Sequence, residues 1–200
     1  ALVLTALERY EPAAKQLELV AKHLKAGSGF NPFIMKNTPE LQAGLHVQAG
    51  NAWLLAERGG EAYDAFSNAL EEIGANALGS DEILIDRARA AVMMGNIDAA
   101  IRDLDNAQLM SASNALIYLY RAAARRQQED LAAANADIQT ALKLAPKNPD
   151  IQLEAGNIAA ARGELDTART HWLETTLLSE AGLAFDAARA NLAKLDIKQP

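Results

Sequence analysis

The chain has 200 residues, a formal net charge of -7 and no cysteine. That length is enough for one good core. The missing thiols exclude a disulfide framework, thiolate metal sites and a cysteine nucleophile, and the acidic balance argues against a nucleic-acid partner. Half the residues are hydrophobic, 5% are aromatic and about a fifth are alanine, a composition that favours helix over sheet.

From the N-terminus, no run approaches about 18 consecutive apolar residues, so no membrane insertion is expected. The opening residues lack a basic region and cleavage site. A chain that starts at Ala1 is processed or cut from something longer, which leaves room for neighbouring domains. The absence of cysteine leans the compartment towards the periplasm over the cytoplasm. Residues 1–26 read as a partial helical repeat, with Leu4, Ala13, Leu17 and Val20 on one stripe and Pro12 opening its second helix. The stretch 27–38 follows as a loop whose Phe30, Phe33, Ile34 and Met35 are too apolar to be idle. It reads as a cover over the end of the next unit, or else as a partner-binding arm. Thr38-Pro39-Glu40 is an N-cap, a first-turn proline and a dipole-matched acid, which opens a repeat over 39–74. Gly50, Trp53, Ala62, Phe66 and Ala69 stand in its slots.

Three further segments, 81–114, 115–148 and 149–182, recur at 34 residues. Ser80, Asn114 and Asn148 precede them as N-cap candidates, and Pro149 suits a first helical position. Their first helices carry Leu84, Ala88 and Ala91, then Tyr118, Ala122 and Arg125, then Gln152, Gly156 and Ala159, an i, i+4, i+7 stripe. Their second helices carry Ala100, Leu104 and Ala107, then Ala134, Ile138 and Ala141, then Ala168, Trp172 and Thr175. Small residues there let antiparallel helices approach, and the larger middle residue fills the groove. Gly95 and Gly163 end first helices by taking positive φ, and Pro146 closes a pair. Residues 183–196 read as a capping helix.

This register resembles the tetratricopeptide repeat, whose spacing is matched by Gly156, Ala100, Ala134, Ala168, Trp172, Ala107, Ala141 and Pro146. The resemblance implies an all-α, right-handed α-solenoid of antiparallel helix pairs with a C-terminal capping helix. It also implies a concave groove built by the first helices. The contacts carried onto that groove are Asn51, Asp86, Arg89, Met93, Tyr120, Arg126, Gln127, Glu154 and Asn157. The positions that hold lysine in members clamping a chaperone's C-terminal carboxylates are Val47, Ile85, Leu119, Leu153 and Ala187 here, so that clamp is not expected. Apolar residues beside Tyr120 and Met93 suit a peptide or helix with hydrophobic anchors; equally, Ile85, Leu119 and Leu153 pack between repeats.

No nucleophile elbow, phosphate loop, zinc-protease or dinucleotide fingerprint occurs. His23 and His46 read as ordinary repeat histidines. So does His171, although it and Glu174 could share a helix face as two metal ligands, and no metal or cofactor is expected. Glu71 with Glu72 and Asp103 with Asp105 read as solvated carboxylates. Arg121 and Arg125 read as balanced by Glu129 and Asp130 at the next turn. The function that follows is a non-catalytic scaffold binding a partner protein or peptide. The alternative is a helical domain of a hydrolase or transglycosylase using a groove carboxylate such as Glu154.

Overall fold

The computed structural model describes residues 9–26 and 37–197, so Leu4 and the apolar stretch 27–35 lie outside the described residues. Among those described there are ten α-helices and no strand. They are α1 (Tyr10–Lys25), α2 (Pro39–Leu55), α3 (Gly59–Ile73), α4 (Ser80–Met93), α5 (Ile97–Met110), α6 (Ala115–Gln127), α7 (Leu131–Leu144), α8 (Pro149–Ala161), α9 (Leu165–Leu178) and α10 (Leu183–Ile197). None is long and apolar enough to cross a membrane. The chain divides into two compact units, Ala1–Ser111 with α1 to α5 and Ala112–Pro200 with α6 to α10.

Each unit is built the same way. In the first, consecutive helices pack on one another and α2 also touches α4; in the second, consecutive helices pack and α8 touches both α6 and α10. The turn inside each pair is three residues long, which makes the two helices antiparallel neighbours. A residue with positive φ sits in every such turn: Glu57, Gly95, Glu129 and Gly163. The amide of the following residue then returns to a carbonyl near the end of the first helix. Arg58 donates to Trp53, Asn96 to Ala91, Asp130 to Arg125 and Glu164 to Ala159, at 2.9 to 3.0 Å. Glycine serves two of these turns. At the other two, glutamates are held in a conformation that costs a side-chain-bearing residue about 1 to 2 kcal/mol.

Helix starts follow the sequence at most junctions. Thr38 accepts from the Leu41 amide, Asn114 from Leu116, and Asn148 from Asp150 and Ile151, with Pro39 and Pro149 in the first turns. Ser80 departs from expectation. It is the first helical residue rather than the cap, and its hydroxyl donates 2.8 Å back to the Gly74 carbonyl. Gly74 and Gly79, both at positive φ, let the chain loop round to make that bond. At the N-terminus Pro12 lies within the first turn of α1, and Val20 is exposed while Ala14, Ala21 and Leu24 join Ala13 and Leu17 in the core.

The core of each pair shows an inverse match in size. Phe66 and Trp172, on second helices, lie where Gly50 and Gly156 leave only a hydrogen on the first helix. A Cβ built at Gly50 would come 2.7 Å from the Phe66 ring, and one at Gly156 would come 2.5 Å from the Trp172 indole. In the two pairs between them the corresponding residues are Ala88 with Leu104 and Ala122 with Ile138, all buried. Where the large residue shrinks from aromatic to aliphatic, the small one grows from glycine to alanine, which keeps the interior close-packed.

Buried ion pairs form a second repeated device. Arg87 reaches Asp103 through Nε at 2.8 Å and Nη2 at 2.7 Å, and its guanidinium lies 5.2 Å from the Tyr63 ring. One repeat later Arg121 makes the same bidentate pair with Asp137, at 3.0 and 2.8 Å, over Tyr118. Arg125 adds a third bond to Asp137 at 2.7 Å. This corrects two expectations. Asp103 is buried rather than solvated, and Arg121 and Arg125 are neutralised from the facing helix rather than by Glu129 and Asp130. Asp130 instead caps α7 by accepting from the Ala133 amide.

Candidate functional site

In the first unit, the last turn of α2 and the last turn of α4 border a cavity of about 400 Å³, lined by Asn51, Leu54, Leu55, Arg89 and Met93. Leu55 is 56% exposed and Met93 45%, whereas Leu54 is buried at the floor. Met93 is held from behind, because Gly59 at the start of α3 lies so close that a Cβ there would come 2.8 Å from the Met93 Cβ. Arg89, which also lines the cavity, is restrained by an ion pair with Asp86 at 2.8 Å. The arrangement offers two apolar side chains that solvent reaches, beside one amide and one guanidinium. Such a surface can take an apolar side chain and hold a carbonyl or carboxylate next to it.

Three residues carried over from the repeat register, Asn51, Arg89 and Met93, line this cavity, and Asp86 positions one of them. Ile85, from the same register, is buried and packs the core instead of offering an anchor. Leu54 was not singled out in the sequence. Its position on the helix follows from its neighbours, but burial at the floor of a cavity needs the facing helix α4.

The second unit treats its first-helix residues differently. Glu154, 7% exposed, receives Arg126 through Nε at 2.6 Å and Nη2 at 3.1 Å, and accepts from Asn157 Nδ2 at 3.1 Å. Asn157 Oδ1 in turn accepts from Trp172 Nε1 at 3.2 Å and from Asn191 Nδ2 at 3.0 Å. Arg126, Glu154 and Asn157 thus form one internal network across α6, α8, α9 and α10. Asn157 Oδ1 takes two bonds and its Nδ2 gives one within the fold, and both Glu154 oxygens are already occupied. Leu119 is buried, Tyr120 half-buried and Gln127 exposed at the end of α6. A shallower cavity of about 270 Å³ lies beside Trp172, bordered by Leu165, Asn191, Lys194 and Leu195.

His171 binds Gln152 rather than pairing with Glu174 around a metal. Its Nδ1 lies 2.7 Å from Gln152 Oε1, while Gln152 Nε2 donates to the Pro146 carbonyl at 2.8 Å. That second bond fixes the amide, so Nδ1 carries the proton. Among the described residues no group of three or more His, Asp or Glu side chains is placed to hold a metal. Burial lowers the His171 pKa below its usual 6.5, against a smaller opposing effect of Glu174. The folded pKa is the lower one, so the contribution to stability is present above the unfolded value and is lost as pH falls through the folded value. Urea melts between about pH 7 and pH 5 should show a declining midpoint, with a shallower decline in His171→Gln; identical pH profiles would refute the assignment.

Solved structures share this architecture. Cut9 with Hcn1, in the crystal structure of the APC/C hetero-tetramer, superposes at TM-score 0.74 over 94% of the chain with 21% identity. TTC0263, a thermophilic TPR protein of Thermus thermophilus, superposes at TM-score 0.69 over 98% of the chain and 95% of its own, at 19% identity. The chain has a tetratricopeptide-repeat fold. The all-α helical-repeat class expected from the 34-residue register is therefore the class observed. The second tetratricopeptide-repeat domain of human RPAP3, solved with the HSP70 peptide SGPTIEEVD, matches 60% of the chain at TM-score 0.54 and 25% identity. The chain spans about a third of the first of these proteins, 34% of its length. No family model and no curated protein sequence matches it.

Proposed function

We propose that the chain is a non-catalytic protein-interaction module that binds a partner peptide, and that the cavity between α2 and α4 receives an apolar side chain of that peptide. The observation that carries this reading is the combination of exposed Leu55 and Met93 with Asn51 and Arg89 around one cavity of about 400 Å³. Support also comes from the RPAP3 domain of the same fold, which was solved with a peptide bound. The catalytic alternative has less behind it, because Glu154 is built into an ion-pair network rather than set in an unfilled pocket.

Peptides selected against the chain from a random display library should share an apolar anchor flanked by an acidic residue. Met93→Asp should weaken them about tenfold or more while leaving the thermal midpoint nearly unchanged, since Met93 is exposed. A peptide ending in EEVD should bind no better than its scrambled counterpart, because Val47 and Ile85 stand where a carboxylate clamp has lysine. Selected peptides that bind wild type and Met93→Asp equally would overturn the assignment of this cavity.

A further inference from the structure

A different cavity of the first unit lies on the other side of α2. Gln42 and His46 are about two and a half turns before Asn51 and Leu55, and the roughly 180° between Gln42 and Asn51 sets them on opposite faces of the helix. The cavity holds about 240 Å³, bordered by Gln42 and His46 from α2, by Glu18, Lys22 and Lys25 from α1, and by Asn68, Glu71 and Glu72 from α3. That is well beyond the roughly 30 Å³ share of a single water.

Two acceptors at this cavity are unspent. Gln42, 2% exposed, donates through Nε2 to the Ala21 carbonyl at 3.2 Å and to Asn37 Oδ1 at 2.6 Å. Both amide hydrogens are thereby used and the orientation is fixed, since the flipped amide would set an oxygen against two acceptors. The Gln42 Oε1 left over is buried, and so is His46 Nδ1; neither has a hydrogen-bond partner among the described residues. Burial lowers the His46 pKa, which favours the neutral ring; Nδ1 is its lone-pair nitrogen in the tautomer with the proton on Nε2, the one that binding a donor at Nδ1 requires. Buried acceptors without donors are costly, and such groups in native proteins are ordinarily satisfied.

The surrounding charges indicate which donor suits them. Glu18 accepts from Trp53 Nε1 at 2.7 Å and Glu72 is held by Lys25 at 2.7 Å, while Glu71 adds a further carboxylate at the edge. Three carboxylates and two unspent acceptors stand against the two lysines. We infer that this cavity binds a small primary amine, whose ammonium group donates to Gln42 Oε1 and His46 Nδ1 and whose charge is met by the glutamates of α1 and α3. The site is independent of the α2 and α4 cavity, and neither proposal needs the other.

The test is an NMR titration of the whole chain with n-butylammonium chloride, alongside tetramethylammonium chloride, which has the same charge and no N–H donor. The expected result is saturable shifts at the Gln42 and Asn68 side-chain amides and the His46 ring with n-butylammonium, and none with tetramethylammonium. His46→Phe, which keeps the ring shape, should weaken binding about tenfold or more, the effect of losing one hydrogen bond to a charged group. Gln42→Met should do the same; if that variant fails to fold for want of its bonds to Ala21 and Asn37, His46→Phe decides alone. An equal response to the two cations, or no saturable response because the cavity holds water only, would overturn the proposal.

Discussion

Asp137→Ala should destabilise the chain by about 3 to 5 kcal/mol in urea denaturation, since it removes the one carboxylate that a buried guanidinium and a second, half-buried one share. Arg121 is 6% exposed and Asp137 5%, and the carboxylate takes three charged hydrogen bonds, two from Arg121 and one from Arg125. Removing both charged partners with apolar residues of similar size should recover much of the loss, so Arg121→Met with Asp137→Leu is the informative double variant. Asp103→Ala should cost less. Asp103 serves one arginine rather than two, and Arg87 keeps more of its surface, with 20% of its side chain exposed against 7% for Arg121. A loss under about 1 kcal/mol for Asp137→Ala would show that water replaces the carboxylate without penalty.

Trp172→Ala should cost about 3 to 5 kcal/mol, the range for deleting a buried aromatic. Trp172 is 5% exposed, packs with Ala159, Ala168, Ala188 and Leu195, and donates to Asn157. Its coupling to Gly156 sharpens the test. Gly156→Ala alone drives a methyl into the indole and should cost about 1 to 3 kcal/mol, less what alanine returns in helix propensity. In the Trp172→Ala background the same methyl enters the vacated space, so its effect should fall to zero or change sign. Additive losses in this cycle would mean that the two helices separate easily enough to admit both groups.

The 34-residue recurrence makes the pairs, the buried stripes and the Asn114 and Asn148 caps readable, because each depends on local spacing and on side chains that reach their own backbone. Ser80 misleads for the opposite reason: its role depends on Gly74 and Gly79 folding the chain back on itself, a matter of φ angles rather than of residue type at one site. The buried ion pairs are legible in principle, since arginine at 87 and 121 and aspartate at 103 and 137 share the repeat. Seeking partners on the next turn misses them, whereas an antiparallel pair brings a carboxylate from the facing helix. The register also names Asn51, Arg89, Glu154 and Asn157 as equivalent in kind. Only contacts between helices separate the residues of the first unit that border a cavity from those of the second that satisfy one another. The unspent acceptors of Gln42 and His46 carry no sequence signature, since glutamine and histidine are common on helices and their isolation arises from what α1 and α3 fail to offer.

The inverse sizing of Gly156 with Trp172 and Ala122 with Ile138 governs how such a chain can diversify. Within the second unit, exchanging α7 and α9 alone would bring an indole against an alanine in one pair and leave an isoleucine facing a bare glycine in the other. One mismatch is a collision and the other a hole, and each needs its own compensating substitution on the partner helix. Duplication and recombination therefore keep the interior sound only when they copy both helices of a pair together. The heritable module is the hairpin, while the outward faces remain free to vary one residue at a time.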